Sequence, residues 1–126
     1  MKKSLVFAAL AALAGCATVT TESVGDCFRV DEGAEPIESV AIDNTTWMLF
    51  SCIPLAGGDA DNPNGCSCLP FRDTSTMENQ MKMLQAEADR VGARKAVNVT
   101  TISTEEAALL FLIVREKLHT SAVLVK

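Results

Sequence analysis

The sequence predicts a small α+β domain: a βαβ unit followed by a C-terminal strand, with one amphipathic helix on a short mixed sheet and disulfide staples. Three observations carry this expectation. Residues 75–92, STMENQMKMLQAEADRVG, space their apolar side chains as a helix does. The segments on either side, 37–55 and 94–102, are rich in β-branched and aromatic residues. Between the first of these strands and the helix lies a run of turn-forming residues, 56–68, that carries two cysteines.

The elements follow in chain order. Lys2 and Lys3 precede a short apolar run, Leu5 to Leu13, and the small residues Ala14 and Gly15. That order describes a secretory signal. The run is shorter than the ~20 residues a membrane-spanning helix needs. Residues 17–35, ATVTTESVGDCFRVDEGAE, are polar, acidic and aperiodic, which predicts a tether. Residues 37–55 read as strand, broken near Asp43-Asn44 and ended by Pro54. The loop 56–68, AGGDADNPNGCSC, follows. In the helix, Ser75 and Glu78 form a capping box, and Met77, Met81, Leu84, Ala88 and Val91 form one stripe expected to face the sheet. Gly92 stands where a left-handed cap belongs. The strand 94–102 then completes a βαβ unit with parallel strands. Residues 104–118 fit a short helix as well as a buried strand: Glu105 and Glu106 before the apolar run and Arg115 and Lys117 after it suit a helix dipole, while Ile113 and Val114 are β-branched. Residues 119–126 read as the terminal strand.

Leu13-Ala14-Gly15-Cys16 resembles the lipobox of bacterial lipoproteins. The resemblance implies a signal peptide over 1–15, lipidation of Cys16 with palmitate-type acyl chains, a lipidated flexible tether over 16–36 and a domain over 37–126. Ala17 after the cysteine implies sorting to the outer membrane, facing the periplasm. Several acyl chains anchor a protein stably, at ~0.8 kcal/mol per buried methylene. Removal of 1–15 takes two lysines and moves the net charge from −5 to −7. Without a block of basic residues, nucleic acid is not an expected partner.

With Cys16 lipidated, Cys27, Cys52, Cys66 and Cys68 remain, an even set in an oxidising compartment, which predicts two disulfides. A Cys66–Cys68 ring is strained, leaving Cys27–Cys66 with Cys52–Cys68, or Cys27–Cys68 with Cys52–Cys66. Zinc sites space their cysteines more widely than C-S-C. The stretch DADNPNG, 59–65, has Pro63 at a ligand position of a calcium loop and Asn64 where that loop needs glycine, so it predicts a turn. His119, the single histidine, has no nucleophile motif beside the chain's other polar residues and reads as a strand-surface residue. Trp47, Met48 and Phe50 read as core, with a contact surface as the alternative, since Trp is a frequent interface anchor.

The stretch WMLFSCIPLAGGD, the amphipathic helix and Gly92-Ala93 before a short strand resemble the TRL-like lipoproteins and, more distantly, the periplasmic domain of the Rcs stress-sensor lipoprotein, over 47–125. The expected function is a non-catalytic envelope lipoprotein, held at the membrane by its lipid, that contacts an envelope protein and uses no cofactor. The alternative is a metal- or small-ligand-binding module built on the loop 56–68.

Overall fold

The computed structural model describes residues 16–23, 34–65, 68–109 and 112–126. Its elements are β1 (Ala17–Ser23), β2 (Pro36–Leu49), β3 (Ile53–Gly58), β4 (Cys68–Pro70), α1 (Met77–Val91), β5 (Lys95–Leu109) and β6 (Ile113–Val125). The sheet runs β4-β3-β2-β6-β5, and β1 also pairs with β2. Every pairing is antiparallel. Over the described residues the chain is therefore mostly β with one helix, and the expected parallel βαβ unit is not formed. β2 and β5 do point the same way, but β6 lies between them and pairs with both. The reason is local: residues 104–118, left open between helix and strand, make a hairpin of β5 and β6. The C-terminal strand then fills the slot that a parallel neighbour would take.

Strand alternation decides which face is covered. Val40, Ile42, Asn44 and Thr46 of β2 and Leu118, Thr120, Ala122 and Leu124 of β6 are buried on one face, under α1. Val40, Ile42, Leu124 and Ala122 pack with Met83, Leu84 and Ala17 as the core. The alternate residues, including Asp43, Thr45, Trp47, Arg115, Lys117 and His119, lie on the opposite face, which no helix covers among the described residues; at its far end Val123 and Val125 are buried. An antiparallel sheet with one polar face is the usual outcome of this patterning.

The helix is rotated from its expected stripe. The rotation is confined to its first half: Leu84 is buried and Ala88 and Val91 pack against the core as expected, but Met77 and Met81 are 54% and 37% exposed, and Gln80 and Met83 take their place against the sheet. Gln80 is drawn in because its Nε2 donates to Leu118 O at 2.9 Å. The N-cap is Thr76, whose hydroxyl accepts from Asn79 N, so the expected capping box of Ser75 and Glu78 is not formed. Ser75 instead joins a buried polar cluster: its Oγ lies 2.9 Å from Thr46 Oγ1, and Asn44 Nδ2 donates to Thr74 O at 2.5 Å. This cluster pins the segment before the helix beneath β2. Gly57 lies against it; a Cβ there would come within 2.2 Å of Thr74 Oγ1. At the other end Gly92 adopts φ 70°, with Gly92 N donating to Asp89 O and Ala93 N to Ala88 O, a Schellman cap.

Two further expectations change. Residues Ala17–Ser23, inside the expected tether 16–36, form β1 and pair with Glu38 to Asn44. Their alternation of small or β-branched residues with polar ones, Ala17, Val19 and Thr21 against Thr18, Thr20 and Glu22, suits a strand with one covered face. The disulfide staples are also absent from the described residues, where Cys52 and Cys68 are unbonded and exposed. Cys52 sits in the turn before β3, and Cys68 is opposite Gly58 at the far end of that strand. Six residues of strand separate them by roughly 20 Å, against the ~7 Å limit on Cα atoms for a bridge. Cys27 and Cys66 lie outside the described residues. Hydrogen bonds do the stapling instead. Asn64, at φ 65°, donates its N–H to Ala17 O, and its side-chain amide exchanges two bonds with the backbone of Val19.

Candidate interaction site

Two hairpin turns meet at one end of the sheet. Leu49-Phe50-Ser51-Cys52 joins β2 to β3, with Cys52 N donating to Leu49 O at 3.2 Å. Phe50 and Ser51 both have left-handed backbones, φ 52° and 57°. Two such residues match the twist of flanking strands, which is why Asn-Gly usually occupies this turn. A phenylalanine there stores about 1–2 kcal/mol of backbone strain. The second turn joins β5 to β6, where Leu112 N donates to Leu109 O. Phe50 N donates to Leu112 O at 2.8 Å and ties the two turns together.

The tip they form is apolar. Phe50, Ile53, Leu109 and Leu112 are 58%, 48%, 55% and 42% exposed. Just inside it, on the open face, Arg115 lies opposite Trp47, its guanidinium 5.9 Å from the indole centroid, and pairs with Glu106. Aromatic residues and arginine beside exposed aliphatic anchors are the composition of an interface core.

One further step along the open face, Asp43 accepts from Lys117 at 3.0 Å and bonds His119 Nδ1 at 2.8 Å. Burial raises the Asp43 carboxyl, but the hydrogen bonds from His119 and Lys117 outweigh it and hold it below the ordinary carboxylate value. On the helix-covered face, Glu116 is shifted the other way, by burial first and then by the neighbouring charges of Asp73 and Glu105.

The structure places the sequence-predicted residues as follows. Cys16 is exposed, immediately before β1, and its carbonyl accepts from Thr45 N at 2.9 Å. Cys52 is near the tip and Cys68 is remote from it. His119 is a strand-surface residue joined to Asp43. Trp47 lines the open face rather than the core, and Phe50 is exposed. In the loop proposed for ligand binding three polar residues are engaged within the fold: Asp59 Oδ1 accepts from Asp61 N, Asp61 pairs with Lys82 of α1, and Asn64 holds β1. Among the described residues no three His, Cys, Asp or Glu side chains are grouped as a metal site, and no helix is long and apolar enough to cross a membrane. The tip itself escaped sequence reading because its first turn lacks Gly, Asn and Pro, and its second sits inside an unbroken apolar run.

Fold and site together define, over the described residues, an antiparallel-sheet domain with a helix on one face and an apolar tip. Comparison with protein families, curated proteins and solved structures finds no match for this chain.

Proposed function

We propose that this chain is a non-catalytic, lipid-anchored lipoprotein of the bacterial envelope, held at the outer membrane through Cys16, and that its apolar tip binds another envelope protein. The observation that carries the reading is the tip: four exposed apolar side chains gathered on two turns that are bonded to each other, one turn keeping a phenylalanine in a strained backbone. Strain of that kind persists where the surrounding structure enforces it, and such positions cluster at functional sites. A protein surface suits the tip better than a lipid surface. Glu105 and Glu106 lie close to it and the chain is acidic, at −5, so anionic headgroups would repel it. The lipobox LAGC supports the anchor. Since Cys16 directly precedes β1, the acyl chains would hang from the domain itself, with the tip about five residues further along the sheet, roughly 17 Å.

Two measurements test the two halves. Cys16→Ser should release the protein from membranes and abolish acyl labelling; unchanged partition in both assays removes the anchor. A photo-crosslinker at Phe50 in intact envelopes should give a discrete protein adduct, absent from the same probe at Gln85 and lost in Leu112→Ser. Lipid adducts alone, or equal yields at both positions, would remove the protein-binding role.

A further inference from the structure

The sheet has three outer edges, and two are closed. β4 is three residues long and ends in Pro70. β1 has Asn64 bonded to its outer edge at Ala17 and Val19. β5 is different. It is 15 residues long and, among the described residues, pairs only with β6. A bulge between Val97 and Thr100, with Asn98 at φ 53°, separates its start from the straight run 100–107. That run, TTISTEEA, contains no proline and no lysine. Short strands, covered edges, prolines and lysines are the devices that keep sheet edges from pairing. The first three mark the other two edges; β5 carries a bulge near its start and two glutamates, but its run 100–107 has no proline, no lysine and no covering segment among the described residues.

We propose that β5 is the interface of a homodimer, in which a second copy of this chain adds its own β5 antiparallel across a two-fold axis at Ser103. Symmetry leaves few registers. A two-fold axis perpendicular to an antiparallel pair must pass through a residue that meets its own copy, because directly opposed residues share a face. An axis at Glu105 or Glu106 sets a carboxylate against itself, which is unfavourable. An axis at Ser103 sets Glu105 against the Thr101 hydroxyl, Glu106 against Thr100, and Ile102 against the Thr104 methyl. Both carboxylates then face hydroxyl groups, and the exposed Ile102 (52%) gains an apolar neighbour. The helix leaves this edge clear. It packs over β2 and β6 and is separated from the start of β5 by a groove of about 200 Å³ lined by Met81, Leu84, Ala88 and Ala96. The dimer joins the two sheets into one.

Cysteine substitution in the full-length chain, in detergent-extracted envelopes, reads the register directly. At Ser103 the two copies' Cα atoms are about 4.5–5.5 Å apart, within disulfide range. At Thr101 they are four residues apart, about 13 Å. Ser103→Cys should give a 103–103 linked peptide by mass spectrometry, at least about tenfold above any 101–101 peptide from Thr101→Cys. Mixing Thr101→Cys with Glu105→Cys chains should give the 101–105 peptide. Ser103→Lys, on an exposed edge, should keep the circular dichroism of the parent and halve the mass found by light scattering. A parent that is monomeric, a 101–101 yield equal to 103–103, or a Ser103→Lys variant that remains dimeric overturns the proposal.

Discussion

At the residue scale, three side chains have environments that set measurable energies. Asp43 is held below its ordinary pKa by His119 and Lys117. A depressed carboxyl contributes stability that is present above its unfolded value, near 3.8, and is lost as pH falls through the lower folded value. Asp43→Asn should therefore lower stability at neutral pH, and the difference from the parent should shrink in urea melts taken below that value. Glu116 has the opposite sign. Its raised folded pKa means that the native state binds the proton more tightly, so its charge opposes folding above the ordinary value of 4.5. Glu116→Gln should stabilise at pH 7 and give no gain below pH 4.5; a destabilised variant at pH 7 would show that Asp73 and Glu105 do not disfavour the charge. Ser51 shares the strained turn with Phe50 but not its apolar surface. Ser51→Gly, at φ 57°, should stabilise by about 0.5–1 kcal/mol and leave the Phe50 crosslink intact, which separates the turn's strain from its contact role. None of these environments was legible in the sequence, since Asp43 and His119 are 76 residues apart and meet only through the β2–β6 register.

At the element scale, the helix tests how far periodicity can be trusted. Its existence, its limits near 77–91 and its glycine cap follow from local sequence. Its orientation follows over the second half, where Leu84, Ala88 and Val91 meet the core, but not over the first, where Gln80 competes for the sheet with Met77 and Met81 and wins through a backbone hydrogen bond that only the tertiary fold supplies. Leu84→Ala should cost about 2–5 kcal/mol in denaturant melts. Gln85→Ala and Met81→Ala, both at exposed positions, should each cost under about 0.5 kcal/mol. A large loss at Met81 would mean that the original stripe faces a core after all. Hairpins were hidden for a related reason. The β5–β6 turn lies in an apolar run, and the β2–β3 turn uses Phe50-Ser51 in place of the residues that normally announce it.

For the whole molecule, the N-terminal segment is the decisive part. Polar and acidic composition predicts a tether for residues 17–35, yet Ala17 is 4% exposed in the core and Asn64 reaches across to hold Val19. Hydrogen exchange measures this directly: amides of residues 18–22 should exchange with protection near that of β2, and Asn64→Ala should lower the protection of β1 first. Exchange of these amides at the rate of an unstructured chain would return the segment to a tether. With β1 in the sheet, an acyl group on Cys16, as proposed, would have no slack, and the sheet would set the domain's orientation at the membrane.

The sequence by itself determined the helix with its C-terminal cap and the strand character of 37–49 and 119–125, because each depends on residues within one or two turns of one another. The tertiary structure decided that the sheet is antiparallel throughout, that the last strand lies between β2 and β5, that Cys52 and Cys68 are a strand's length apart, and that Phe50 and Leu112 share a tip. These depend on strand order and register. Backbone hydrogen bonds pair any two strands alike, so the choice rests on which faces are buried together, and that is a property of the assembled sheet.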